Sequence, residues 1–499
     1  MPPSLNLDIL LHIAVHSSRE TALALMLTCR ALYAEALKVI LRSIRLKSAQ
    51  SVDNFVLLVS AGSPIGDDTR QRYSLVRELS LSSSFNIPRH SDLLPRFLQV
   101  LRRLTHLESM SIAKCERCFS KHPDLASAIA SLPSLSHLKL SAVGSCTWNI
   151  LTSLTAPHLT IISLDFSKAV RLSPMALSRG HRYASFFEVL EDSERLQYDP
   201  LQLLSKWSSS LRELRVVDWD IPTEHPPYIF SSVHRLSLSA ERIGKTHTYV
   251  LAFPNVTHIA LRPSRFRGPR ELLYNTGMLD QLREANINDQ HSACLSWAHL
   301  EELSGCLLHI YAFGPIGGVR NVQLDRFVGF LGPQYHRMLA AVLEHARPTH
   351  LSLDSDIGLF TELEHAVEAP GGLAGVLRQS GSERLESLDV SVSQAKIYGY
   401  PQEMDVPRAL VGPLRSDFMM FVTHSAHCCL VVQATLAESL ARLPLRRLRF
   451  EISFMISDTT FATVQQADLE AFVHAVPTLE EAYVSYVVNG SGPLEVRIP

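Results

Sequence analysis

One short pattern constrains this chain more than anything else in it. The motif apolar-x-x-apolar-x-apolar recurs thirteen times, starting at Val76, Leu107, Leu135, Leu159, Leu211, Val233, Val256, Leu282, Val319, Pro348, Leu385, Leu445 and Leu479. Neighbouring starts mostly lie about 22–37 residues apart, a period that marks stacked supersecondary units. Two gaps are longer, from Leu159 to Leu211 and from Leu385 to Leu445, and each is expected to hold a degenerate repeat or an insertion. The fourth and sixth positions are two apart, so in a strand they share a face. They are almost all aliphatic or aromatic. The fifth position points the other way and is mostly polar, as in Ser80, Lys139, Arg215, Asn286, Gln323, Asp389 and Arg449.

Several hexamers follow a stretch with helical spacing, as at 93–104, 125–132, 338–345, 436–443 and 469–476. Pro133 in Leu132-Pro133-Ser134-Leu135 marks a helix end, because proline disfavours helix at the preceding residue. Strand, loop, helix and loop make a unit that cannot bury its own apolar face, so stacking must supply the core. Over about 70–490 the chain resembles the leucine-rich-repeat family. The resemblance implies an α/β solenoid with one strand per repeat and helices on the outer face. The family's Asn or Cys, three places after the last apolar residue, is matched only by Cys115; Val143, Trp219 and Phe327 stand there in other repeats. No continuous asparagine ladder is therefore expected.

Residues 1–46 read differently. Leu7, Leu10, Leu11, Ala14 and Val15 have helical spacing, as do Leu23, Leu27, Ala31 and Ala34, with Ser17-Ser18 placed to cap the second helix. The run Leu5-Asn6-Leu7-Asp8-Ile9-Leu10-Leu11-His12-Ile13, followed by Leu23-Ala24-Leu25-Met26-Leu27-Thr28-Cys29-Arg30-Ala31-Leu32-Tyr33, resembles an F-box. Asn6 stands where that family has proline, and Ala22 is small. The resemblance implies an all-helical module that docks on the Skp-type adaptor of a cullin ubiquitin ligase through Leu5, Leu7, Ile9, Leu10, Ile13 and Leu27. The repeats would then hold a protein substrate. A plain helical cap on the first repeat is the other reading. Residues 47–69 are expected to be a linker or first outer helix, and 70–499 the solenoid.

Composition narrows the partners. Lys plus Arg number 47 against 49 acids in 499 residues, so there is no global attraction to nucleic acid or an acidic membrane. Nothing reads as a signal peptide, and the apolar run 418–432 is too short to span a bilayer. A cytoplasmic or nuclear protein is expected. The outward row carries Arg215, Arg235, Arg447, Arg449 and Tyr483, the residue types that most often anchor interfaces, and these are the candidate substrate contacts.

Catalytic and metal signatures are thin. Cys115-x-x-Cys118-x-x-x-His122 has ligand spacing without a fourth ligand nearby, and His424, His427, Cys428 and Cys429 sit in an apolar run. Gly314-Pro-Ile-Gly317-Gly318 lacks the lysine of a phosphate loop. No catalytic residue, metal or cofactor is expected.

Overall fold

The structure, a computed structural model, describes residues 7–28, 30–60, 69–87, 92–167, 198–219, 226, 228–240, 245–263, 276–293, 295–314, 316–325, 332–355, 372–379, 381–393, 436–454, 466–488 and 494–498. It is an α/β fold built on a solenoid-like repeating parallel sheet. The chain divides into two compact units, one comprising 1–240 and 251–254, the other 241–250 and 255–499.

The first unit holds seven parallel strands in chain order: β1 (Ser43–Leu46), β2 (Glu78–Leu81), β3 (Ser109–Ile112), β4 (His137–Ser141), β5 (Ile161–Asp165), β6 (Glu213–Val217) and β7 (Arg235–Ala240). The second holds β8 (His258–Pro263), β9 (Glu302–Gly305), β10 (Asn321–Leu324), β11 (His350–Ser355), β12 (Ser387–Ser393), β13 (Arg447–Phe454), β14 (Glu481–Val488) and the antiparallel β15 (Leu494–Ile498). Each hexamer aligns with its neighbour without slip, so Leu138 faces Met110 and Ile162, and Leu140 faces Ile112 and Leu164. The fourth- and sixth-position side chains form the core; Leu138, Leu140, Ile162, Leu164, Leu214 and Val216 are all buried.

The repeats are also joined where each strand begins. The carbonyl of Arg77 accepts the N–H groups of Glu108 and Ser109, Glu108 those of Ser136 and His137, and Ser136 those of Thr160 and Ile161. The same two-for-one bonding recurs in the second unit, from Thr349 to Glu386 and Ser387 and from Arg446 to Glu480 and Glu481. This backbone ladder links neighbouring repeats where a side-chain asparagine ladder is missing. At the family's Asn or Cys position Cys115, Val143 and Trp219 are buried; the Cys115 thiol donates to the Ala142 carbonyl at 3.4 Å, and the Val143 N–H donates to the Asp165 carbonyl.

Twelve of the thirteen hexamers are strands; the one at Leu282 is not. It lies inside the helix Thr276–Ala293, and Asn286, expected to face outward, is buried. The strand of that repeat is β9, whose sixth position is Gly305 rather than an aliphatic residue. At φ +133° a Cβ on Gly305 would sit 1.8 Å from the Leu261 carbonyl oxygen, so the close approach of β8 excludes a side chain there. The ladder also starts earlier than residue 70. Leu41-Arg42-Ser43-Ile44-Arg45-Leu46 is a further hexamer, β1 pairs with β2, and 49–60 is the helix between them. No strand intervenes in the sheet across the two long gaps, since β5 pairs directly with β6 and β12 with β13. His424, His427, Cys428, Cys429 and Phe327 lie outside the described residues.

Two features show how irregular repeats are stitched. Helix Ser145–Ser153 is capped at both ends by its neighbours: the Glu116 carboxylate accepts from the N–H of Cys146 (2.9 Å) and Thr147 (3.1 Å), and Lys206 Nζ donates to the carbonyls of Leu151, Thr152 and Leu154. The signs complement the helix dipole, negative at the N-terminus and positive at the C-terminus. The chain also leaves three strands through a left-handed residue two places past the hexamer: Lys114 (φ 54°), Ala142 (φ 58°) and Asp218 (φ 55°). A side chain there costs about 1 kcal/mol. Ala142→Gly is therefore expected to stabilise the first unit by up to about 1 kcal/mol, against the usual sign for that change. Urea unfolding of the two proteins checks it; a lower midpoint for the glycine variant would contradict the argument.

Candidate protein-interaction surfaces

The N-terminal module consists of α1 (Leu7–His16), α2 (Arg19–Met26) and α3 (Arg30–Arg42). Ser18 caps α2 as its position suggests: its side chain accepts from the Thr21 N–H at 3.3 Å. Ala22, Ala36 and Ile40 form a small core with Met26 and Val39 packed against it. The small Ala22 is what allows α2 and α3 to approach. Leu37 and Leu41 are buried on α3, which runs directly into β1.

The other sides of α1 and α2 are not covered. Ile9 is 52% exposed, Ile13 43%, Val15 49%, Leu23 47% and Leu27 89%. These are five of the eight large hydrophobic residues left exposed among the described residues. Ile9 and Ile13 are four apart on α1, and Leu23 lies four before Leu27, so each pair shares a helix face. Leu10 is half-buried; Leu5 and the Leu7 side chain lie outside the described residues. Val15 and Leu23 were not on the expected contact list, and helical periodicity alone does not say which side of so apolar a helix turns inward.

The expected substrate contacts fall in two groups, one per unit. In the first unit Arg215 and Arg235 lie on adjacent strands, and Glu213, the register partner of Arg235, also pairs with Arg215. In the second unit Arg449 and Tyr483 are register partners, as are Arg447 and Glu481. The Tyr483 ring lies between two guanidinium groups, Arg449 at 5.7 Å and Arg497 at 5.0 Å. Each arginine also has a carboxylate: Arg447 with Glu481 at 3.2 Å, Arg449 with Glu451 at 2.6 Å and Arg497 with Glu495 at 2.8 Å. The Tyr483 hydroxyl donates to Glu495 at 3.1 Å. Burial pushes the Asp389 carboxyl up, with Arg449 pulling it down and Glu451 raising it further. This face is a preformed lattice of alternating charge around one aromatic ring. Arg497 and Glu495 were missed because β15 returns antiparallel beside β14 instead of continuing the parallel repeat.

No protein-family model matches the chain, and no curated protein matches it. Among solved structures it is similar to the leucine-rich repeat-containing protein LegL7 from Legionella pneumophila. The identity is 10%, the TM-score 0.31, and the match covers 83% of this chain and 95% of that chain. A likeness this loose carries no argument about fold or function, which rest on the strands and surfaces above.

Cys115 and Cys118 lie on the helix Cys115–Lys121. Cys115 is fully buried and receives the Thr147 hydroxyl at 3.3 Å; burial holds its thiol protonated far above the ordinary range. Burial also pushes Cys118 up to about 11. Among the described residues no cluster of three metal-ligating side chains is present, and no helix is long and apolar enough to cross a membrane.

Proposed function

We propose that the chain is the substrate-binding subunit of a cullin-type ubiquitin ligase, with the α1–α3 module docking on a Skp-type adaptor and the repeats holding a protein substrate in the cytoplasm or nucleus. The observation that carries this reading is the concentration of exposed Ile9, Ile13, Val15, Leu23 and Leu27 on two short helices whose sequence resembles an F-box. Apolar side chains gathered on one small element mark an interaction site rather than chance exposure. The rival reading makes these helices a cap on the first repeat. A cap would turn its apolar side chains toward the repeat, as α3 does with Leu37 and Leu41, and would leave its outer side polar. The reading assigns no catalytic step to the chain; its part is to bring two proteins together.

The test is binding of the purified full-length protein to a purified Skp-type adaptor, by calorimetry or surface capture. The double variant Ile13→Asp with Leu27→Asp is expected to keep its melting temperature, because both side chains already meet water. It is expected to bind the adaptor at least about thirtyfold more weakly, since two apolar anchors at more than about 1 kcal/mol each sum to more than about 2 kcal/mol. Equal binding by both proteins, or none by the unmodified chain, would remove the ligase reading.

A further inference from the structure

A cleft of about 210 Å³ opens in the first unit beside the ends of β2 and β3. Its polar lining includes Ser83, Ser84, Asn86, Lys114, Arg117 and Lys121, with the Cys118 thiol also on the wall. Among the described residues no carboxylate lines it. Arg117 and Lys121 are four apart and share one side of the helix Cys115–Lys121, while Lys114 precedes the helix and reaches the cleft from its left-handed N-cap position.

Their isolation from acids is built into the fold. Glu116 is the one acid within 113–122, and it is turned away: its carboxylate accepts from the N–H groups of Cys146 and Thr147 and from the Thr147 hydroxyl at 3.0 Å. Gly144 makes room for it there, since a Cβ at that position would lie 2.7 Å from the Glu116 carboxyl carbon. Elsewhere in this unit arginines and lysines find acids, as in Arg77 with Glu108 and Arg96 with Asp53. Lys114, Arg117 and Lys121 have no ion-pair partner among the described residues. Lys121 Nζ is steadied by Asn86 Oδ1 at 3.5 Å, leaving two of its protons free. Lys114 is held in the left-handed conformation (φ 54°), which fixes where its side chain starts.

Three unneutralised cations around a small concavity, with a serine hydroxyl and an amide beside them, suit a compact dianion. The volume lies below the roughly 300–1,000 Å³ of pockets that enclose a drug-sized ligand, so one group enters rather than a whole nucleotide. A phosphate ester at neutral pH carries close to two charges and three acceptor oxygens, matching three cationic donors.

We propose that this cleft binds a phosphate monoester, presented by a phosphorylated side chain of the protein the repeats hold. The presenting partner rests on the proposed substrate-binding role; the affinity for the phosphate group does not. Binding is electrostatic and therefore weakens as salt rises.

The experiment titrates the full-length protein, by calorimetry at low salt, with four probes: inorganic phosphate, sulfate, the peptide acetyl-Gly-Gly-phosphoserine-Gly-Gly-amide and its unphosphorylated form. The expected result is saturable binding of phosphate, sulfate and the phosphopeptide, with the phosphopeptide tightest and the unphosphorylated peptide silent. The variant Arg117→Ala with Lys121→Ala is expected to lose at least tenfold in phosphopeptide affinity at an unchanged melting temperature. Arg117→Lys keeps the charge and should retain most of the affinity. Phosphate without phosphopeptide binding would overturn the side-chain source while leaving an anion site. A phosphopeptide that binds no more tightly than sulfate, or binding untouched by the double variant, would overturn the proposal. None of these readouts involves the adaptor, so failure here leaves the ligase reading standing, and failure of adaptor capture leaves this one standing.

Discussion

Leu164→Asp is expected to unfold much of the first unit, at a cost of about 4 kcal/mol or more, while Ser163→Asp beside it changes stability by less than about 0.5 kcal/mol. The two residues are adjacent in sequence and opposite in environment. Leu164 is 1% exposed and sits in register between Leu140 and Val216. A carboxylate there would have no cation and no donor, and the repeats on both sides would lose their packing surface. Ser163 points the other way, in register with Lys139 on one strand and Arg215 on the next. A carboxylate at that position lies between two cations in water, where the gain is small and the cost is smaller still. Urea unfolding, with hydrogen exchange over β4, β5 and β6 to localise the loss, checks both. Equal destabilisation by the two changes would mean that the alternation does not define inside and outside.

Asn286→Leu is the second large effect, and its sign runs against hydrophobicity. Asn286 is 3% exposed, and leucine has nearly the same size, so simple burial predicts a gain. The fold predicts a loss of about 2–4 kcal/mol. Helix Leu307–Phe313 is buried along its whole length, and its last carbonyls have no partner within the helix. They are satisfied from the side: Arg283 donates to Tyr311 at 2.8 Å, Asn286 to Ala312 at 2.8 Å, and Thr246 and Gln290 to Phe313. The Asn286 side-chain oxygen also accepts the Thr246 N–H at 3.0 Å. Leucine would leave one buried acceptor and one buried donor unpaired, and each such group costs about 1–3 kcal/mol. Asn288→Leu, on the exposed side of the same helix, serves as the control and is expected to cost little. A melting temperature for Asn286→Leu at or above that of the unmodified protein would show that water or rearrangement satisfies those groups.

The same network extends outward. The Arg283 guanidinium lies 4.5 Å from the Tyr311 ring centre, and burial lowers its affinity for a proton, with Tyr311, Glu344 and Asp280 opposing that shift. The Tyr311 hydroxyl donates to Asp280 at 2.6 Å; burial and that carboxylate push it up to about 12. Burial works against ionisation of Asp280, but Tyr311 and Arg337 outweigh it and hold the carboxyl below its ordinary range.

The sequence by itself determined the parallel α/β repeat, the inward and outward faces of twelve hexamers and the separate N-terminal helices. Those features follow from periodicity, and periodicity is local: a two-residue alternation decides which side chains share a face before any neighbour is known. The exceptions arose where a neighbour decided. In the helix Thr276–Ala293 the buried residues are Leu279, Arg283, Asn286 and Gln290, chosen for the carbonyls of another helix, while Leu282 and Ile287 are only half-buried. The apolar hexamer there is a by-product of helical sequence. Gly305 replaced the aliphatic residue of β9 because the Leu261 carbonyl occupies its side-chain space. The surfaces divided in the same way. Residue types marked Arg449 and Tyr483, and the F-box resemblance marked Ile9, Ile13 and Leu27. Only tertiary structure decided that Arg449 and Arg497 flank one ring, that each has a carboxylate, and that Glu116 is withdrawn from a cleft whose three cations have no ion-pair partner among the described residues. Charge neutralisation depends on distances between segments far apart in the chain, and no local pattern encodes those distances.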